Sequence, residues 1–316
     1  MTTLCYHHAA CIAHDPGVGH SERAARLEAI VTALQATNLP LQWRESPLGT
    51  HAMIERAHDT AYVDFVFNAV PQSGQRVIEV NEVVSDDDGG EVTTLSPASG
   101  NALLRTAGAV TAAVDAVLAG AARNAFCLTR PPGHHALTNK AMGFCVFNHV
   151  AVAARHALAQ GCRRVAIADF DVHHGNGTQQ IFAADPLVFF ASMHQLPLWP
   201  ESGYAHETGI GNIFNLPTPP HLPRSDWLHL WQEQFLPRLA AEEFDFLLIS
   251  AGFDAHRDDP KGSQNLETED FYTLTRDLLA LADRQCRGRV VSVLEGGYDI
   301  AASAASAVAH ARALCD

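Results

Sequence analysis

The sequence predicts an α/β fold, a central parallel sheet flanked by helices with its active site at the carboxyl ends of the strands. Three observations predict it. Short apolar runs alternate with amphipathic stretches of helical period, the order that builds a parallel sheet wrapped by helices. The runs are apolar throughout and rich in β-branched and aromatic residues, as in strands buried on both faces. Four of the runs end in chemically unusual residues, and open α/β sheets bind their ligands at that edge.

The expected strands are "AFCLTR" (125–130), "RVAIADFD" (164–171), "LVFFASM" (187–193), "DFLLISAG" (245–252) and "RVVSVLEG" (289–296). "NHVAVAARHALAQG" reads as a helix capped by Asn148 and stopped at Gly161, because Asn favours the N-cap and Gly the C-terminal exit. A second helix starts at Ser225 and is kinked by Pro237, and a third starts at Thr268. The Ala-rich tail "AASAASAVAHARAL" is a fourth, and "EVNEVVSDDDGGEV" (79–92) reads as an acidic surface loop. Without an internal repeat or a dividing linker, residues 1–316 are expected to form a single catalytic domain.

The formal net charge of −14 repels phosphate backbones, so direct nucleic-acid binding is not expected. Cationic partners such as lysine side chains, basic peptides or polyamines are favoured instead. The N-terminal segment lacks a basic start followed by an apolar core, and no apolar stretch is long enough for a membrane span. The seven cysteines show no C-x-x-C spacing. A reducing cytoplasm is the expected compartment.

The four strand ends carry the chemistry. In "DFDVHHG", Asp171 and His173 alternate along an extended chain and so point to one side. A carboxylate and an imidazole there form half of a divalent metal site, and Asp254 in "SAGFDAH" is the candidate third ligand. Alternatively, Asp171 caps the next helix and His173 is an ordinary buried histidine. "RPPGHHA" holds His134 and His135 in a rigid turn, where a histidine can act as general base and then acid; a solvated surface pair is the other reading. Gly296 and Gly297 before Tyr298 let the backbone approach a site closely, and the phenol could donate to an oxyanion or simply pack. Phe144 in "GFCVFN" and Trp199 in "PLWPESG" read as core aromatics by default.

Taken in order, "GHSERAARLEAI", "RAHDTAYVDFV", "RPPGHHA", "GFCVFNHVAVAA", "DFDVHHGNGTQQIF", "SMHQLPLWPESG", "SAGFDAHRDDP" and "LEGGYD" make the chain resemble the zinc-dependent histone deacetylase superfamily. Asn176 in "HHGNGT" is similar to the class II and bacterial branch, which includes acetylpolyamine amidohydrolases. The resemblance implies an arginase/deacetylase-like fold, one catalytic Zn2+ held by Asp171, His173 and Asp254, and His134 and His135 as tandem catalytic histidines leaning on Asp169 and Asn176. It implies that Tyr298 polarises the acyl carbonyl, and that Gly143, Phe144, Trp199, Gly296 and Gly297 line the substrate channel. It further implies a K+ near Asp169, Asp171, His173, Ser192 and Met193, with Arg23 as the arginine near the floor of the site. The implied substrate is acetyl-lysine in peptides or proteins, or an acetylated polyamine.

This chain departs from the family pattern in places. Trp199 stands where Phe or Tyr is usual, Ser21 replaces a proline, and Lys261 stands where many members have Leu. Val92 falls where many members carry a substrate-gripping Asp, with Glu91 and Asp88 nearby. A binuclear manganese ureohydrolase would need a D-x-H-x-D arrangement and a further D-x-D, whereas this chain offers D-V-H-H and Asp254. A non-catalytic acetyl-lysine binder would not need every catalytic position filled by a competent residue.

Overall fold

The computed structural model describes residues 2–79 and 92–316. The greater part of the expected acidic loop, including Asp88 and Glu91, lies outside the described residues. Among the described residues ten strands form two sheets. They are β1 (Thr3–His7), β2 (Leu41–Glu45), β3 (Arg76–Val77), β4 (Thr94–Leu95), β5 (Asn124–Leu128), β6 (Val165–Asp169), β7 (Val188–Gln195), β8 (Ile213–Thr218), β9 (Phe246–Ala251) and β10 (Val290–Leu294). Eight make one sheet in the order β2-β1-β5-β10-β9-β6-β7-β8, with every pairing parallel. The short β3 and β4 pair antiparallel beside it.

All five expected strands are present with ends shifted by one or two residues, β7 running on to Gln195 and the others stopping earlier than expected. β1, β2 and β8 of the large sheet, and the short β3 and β4, were not foreseen. β2 and β8 are the two edges of the sheet: β2 is largely exposed, and β8 contains Pro217, which edge strands tolerate and central strands do not. Neither therefore carries the apolar signature of a doubly buried strand.

Successive residues of the central strands enter opposite cores. On β9, Leu247, Ile249 and Ala251 pack with one cluster, while Phe246 and Leu248 pack with the other. Among the described residues the α-helices are α1 (Ala9–Ala13), α2 (Ala24–Gln35), α3 (His51–Ile54), α4 (Thr60–Ala69), α5 (Ser99–Leu118), α6 (His149–Ala159), α7 (Asn176–Phe182), α8 (Arg224–Leu230), α9 (Leu236–Ala240), α10 (Thr268–Cys286) and α11 (Ile300–Cys315). The first face is covered by α2, α10 and α11, the second by α5 and α6.

The helix expectations hold with one refinement. Asn148 caps α6 by accepting from the Ala151 N–H at 3.0 Å, and Gly161 leaves it at a positive φ. The helix expected from Ser225 runs from Arg224 to Ala240, with a π-helical turn, Trp231–Phe235, that ends two residues before Pro237. Proline has no N–H to give the preceding turn, and the widened turn absorbs the mismatch. α10 begins with a capping box between Glu267 and Asp270. No helix among the described residues is long and apolar enough to cross a membrane.

The decisive feature of the topology is that β5, β10, β9 and β6 are consecutive in the sheet. The four polar clusters read from the sequence therefore emerge side by side from the middle of one edge. Asn148 ties the α6 cap to that edge, because its Nδ2 also donates to Thr178 Oγ1 at 3.0 Å. Asn148→Ala removes both the cap and this tie. It should lower stability by about 1–2 kcal/mol, measured as a shift of the urea midpoint at unchanged m value.

Candidate active site

Past β6 the chain bends at Asp171–His173 rather than continuing extended, so strand alternation is not what brings Asp171 and His173 together. The bend is held by the Asp171 carboxylate, whose Oδ1 accepts from the His173 N–H at 2.9 Å. His173 Nδ1 then lies 3.1 Å from Asp171 Oδ1 and 3.0 Å from Asp254 Oδ2. One donor atom from each of Asp171, His173 and Asp254 falls within 4.8 Å of the others, and all three side chains are buried. Asp254 arrives from the turn beyond β9 and also accepts from the Val172 N–H at 2.8 Å.

Two glycines make room for the carboxylates. A Cβ at Gly252 would overlap Asp171 Oδ2, and one at Gly296 would press on both Asp254 and Asp171. The Gly296 N–H instead donates to Asp171 Oδ2 at 2.8 Å. Burial, and then the neighbouring Asp171 charge, push the Asp254 carboxyl up to about 7. Burial also opposes ionisation of Asp171, but the imidazoles of His134 and His173 outweigh it and hold this carboxyl below its ordinary value. Two buried carboxylates and an imidazole converging on one point fit a divalent cation, which would neutralise the repulsion between them.

Beside this cluster, His134 and His135 lie with ring centroids 3.9 Å apart. His134 Nδ1 is 3.0 Å from Asp169 Oδ2, and His135 Nδ1 is 2.8 Å from Asn176 Oδ1. Burial opposes charge on both rings. For His134 the carboxylates of Asp171 and Asp169 overcome it, raising the ring to about 10. His135 stays well below its ordinary value through burial and the neighbouring His134 and His173 rings. The two imidazoles are thus pushed in opposite directions. The "RPPGHHA" turn itself hangs on Glu295, whose Oε2 accepts from the Gly133 and His134 N–H groups at 2.7 and 3.1 Å.

Tyr298 follows β10 through Gly296 and Gly297. The guanidinium of Arg26 lies 4.7 Å over its ring. Burial and the charges of Asp254 and Asp171 keep the phenol well above its ordinary value, against the opposing effect of Arg26, so it bears its proton. Arg23, the arginine expected at the floor, is exposed at the extended N-cap position of α2. Arg26, on the buried face with Leu27 and Ile30, takes the floor position. It donates to the Glu295 carbonyl at 2.6 Å and to Glu22 at 3.0 Å. Glu22 is shared with Arg130, and despite burial the two guanidiniums hold its carboxyl down at about 2. Arg23 and Arg26 are in step with the same helical period of Leu27, Ile30 and Leu34, so the choice between them turns on where α2 begins.

Phe144 and Trp199 are half-buried, so neither is the core aromatic of the default reading. Phe144 stands on the Tyr298 side, with ring centroids 6.0 Å apart. Trp199 stands over the metal-site side, 4.7 Å from His135 and 6.4 Å from His173. Gly143, at φ 54°, lies between them, and a Cβ there would strike both Trp199 and His135. Gly143 and Phe144 sit in consecutive left-handed conformations, and the Gly143 N–H is anchored to the buried carboxylate of Glu79 at 3.1 Å. His20 packs on Phe144 at 4.7 Å and lies 3.2 Å from the Val92 carbonyl through Nε2.

Glu79, Glu295, His20 and Arg26 were not singled out from the sequence as site residues, because each acts through a backbone group or ring brought near by folding. His174, next to His173, turns the other way and meets Ser202 Oγ at 2.8 Å, bracing the segment that carries Trp199. Of the residues expected around a monovalent cation, Asp169 and Ser192 are partners in the β6–β7 register. Both are buried, as are Asp171, His173 and Met193.

A family model described as Histone deacetylase domain matches residues 20–314. Histone deacetylase 14, chloroplastic, of Arabidopsis thaliana is 36% identical, the match covering 98% of this chain and 76% of that protein. The histone deacetylase-like amidohydrolase of Pseudomonas aeruginosa is 35% identical over 89% of this chain and 73% of its own length. The crystal structure of an HDA15 HD domain is similar at a TM-score of 0.90 and 32% identity, covering 99% of this chain and 88% of that one.

Gly252 tests the carboxylate cradle. Gly252→Ala presses on the Asp171 carboxylate while leaving all three candidate ligand side chains in the chain. Affinity for a divalent cation, titrated as Zn2+ against a chelating dye, should fall about 10–100-fold, as for other changes to groups that orient metal ligands.

Proposed function

This chain belongs to the histone deacetylase family, whose members include deacetylases and amidohydrolases, and on that premise we propose that it is a zinc-dependent amidohydrolase. It removes acetyl or another short acyl group from the side-chain amine of acetyl-lysine in peptides or proteins. The observation that carries the reading is the buried Asp171–His173–Asp254 cluster beside two histidines, each oriented by its own partner.

Asp171, His173 and Asp254 would hold the zinc. When bound, that ion polarises an acyl carbonyl and acidifies a water molecule. His135 takes the proton of the attacking water, since Asn176 orients its ring without adding the charge that would keep it protonated. Asp169 orients His134 and favours its charged form, so a protonated histidine stands ready to deliver a proton to the departing amine. Tyr298, proton-bearing and braced on Arg26, donates to the oxyanion as it develops. Phe144 and Trp199 flank the methylene chain of the substrate and exclude water. Asp169, Asp171, His173, Ser192 and Met193 would hold a K+. Residues 1–316 act as a single catalytic domain, and the cytoplasm suits a chain whose seven cysteines are all free.

An acetylated polyamine is the alternative substrate. It too is an acylated amine on a linear methylene chain, and the net charge of −14 draws the unacylated ammonium groups of a polyamine as it draws the basic residues of a peptide. A deacylation screen over acetyl-lysine peptides, acetylspermidine and acetylputrescine, ranked by kcat/KM in zinc-loaded protein, decides. Peptides should rank first; preference for the polyamines transfers the function to them, and turnover of none overturns the enzymatic reading.

Tyr298→Phe should leave zinc bound while kcat falls by about 10²–10³, the usual loss for one oxyanion donor. A near-normal single-turnover rate would remove Tyr298 from the carbonyl. Trp199→Ala exposes methylenes worth roughly 0.8 kcal/mol each when buried. It should therefore raise KM for long linear substrates and spare very small acetyl amides. Equal losses on both, accompanied by a large fall in melting temperature, would mark Trp199 as a packing residue instead.

A further inference from the structure

Tyr298 is carried on a turn whose conformation is not set by β10 alone. Gly297, just before it, has φ 118°, a conformation that glycine adopts freely and that leaves the next residue without sheet pairing. The backbone is fixed instead from the neighbouring loop after β9. There Asp259, 5% exposed, accepts from the Tyr298 N–H at 2.6 Å and the Asp299 N–H at 3.0 Å through Oδ2. Its Oδ1 accepts from the Lys261 N–H at 3.0 Å. One buried carboxylate thus gathers three backbone donors, two of them in the tyrosine turn. Asp299 then caps α11 through the Ala302 N–H at 2.8 Å, so the turn leads straight into a fixed helix. The ring of Tyr298 is held separately, by Arg26 on its face.

We infer that Asp259 is a positioning residue for the reaction, fixing the backbone of Tyr298 so that its phenol meets the acyl carbonyl. The inference rests on the reading of Tyr298 as the oxyanion donor. It follows from the strength of hydrogen bonds from backbone N–H groups to a carboxylate and from the steep dependence of catalysis on placement: an error of about 1 Å can cost about 10²-fold. Asp259 touches neither substrate nor metal ligand in this role. The loss of its contact with the tyrosine turn should be felt in the reaction through Tyr298.

The test uses the whole chain with Asp259→Ala and Asp259→Asn, each alone and combined with Tyr298→Phe. All carry 3-fluorotyrosine. The 19F resonance of Tyr298, among five tyrosines, is identified by its disappearance in Tyr298→Phe. Asp259→Ala should lower kcat on an acetyl-lysine amide by about 10–100-fold, with KM and bound zinc nearly unchanged and the Tyr298 resonance alone displaced or broadened. In the Tyr298→Phe background it should cost nothing further, since residues acting as one unit are not additive. Asp259→Asn keeps one acceptor oxygen but sets an amide donor against a backbone donor. It should show the same selective shift in smaller degree, and it carries the test if the alanine variant does not fold. An unmoved Tyr298 resonance, or a loss of kcat that multiplies with that of Tyr298→Phe, overturns the inference. Should the unaltered protein turn over no acetyl amide, the catalytic reading fails, while the 19F spectrum still decides whether Asp259 holds the tyrosine.

Discussion

The structure is organised around buried negative charge at the centre of one sheet edge. Asp169, Asp171 and Asp254 are fully buried, with Glu295 close behind. Isolated carboxylates in such a place would cost many kcal/mol or take up protons. Each is therefore met by directed donors: backbone N–H groups at Asp171, Val172, His173, Gly296, Gly133 and His134, and the rings of His134 and His173. The convergence that makes these carboxylates costly is also what makes the site able to hold a divalent cation.

Close approach is the second requirement, and it explains where glycine is obligatory. Gly252 and Gly296 lie against the carboxylates of Asp171 and Asp254. Gly143 lies against Trp199 and His135. None of these positions is a flexible hinge in this structure; each is a place where a side chain would occupy the volume needed by a functional group. The parallel strands β5, β10, β9 and β6 bring four such loops within reach of one another, which loops on separate elements could not do with comparable precision.

A shell of positive charge lies under the site. Arg26 and Arg130 share Glu22, and Arg26 passes beneath Tyr298 to reach the carbonyl of Glu295. The buried guanidiniums offset the carboxylates above them while remaining hydrogen-bonded, the condition under which buried charges persist. The channel side is built differently, from half-buried aromatics on braced loops: His174 and Ser202 behind Trp199, Glu79 and His20 behind Gly143 and Phe144.

Much of this was legible in the sequence. The doubly buried strands betrayed themselves by continuous apolar runs, the helices by Asn148, Gly161 and Pro237, and the reacting groups by ordered motifs at strand ends. The edge strands β2 and β8 were not legible, because one is exposed and the other carries Pro217. The choice between Arg23 and Arg26 was not either, since it turned on where α2 begins. The sequence by itself determined which residue types stand at the ends of the central strands, because composition and local period are properties of the chain alone. Only the tertiary structure decided that β5, β10, β9 and β6 are neighbours, that Asp171 and His173 meet through a bend, and that Asp259 reaches the turn of Tyr298. Those relations depend on which distant segments pack together, and local propensity does not encode that.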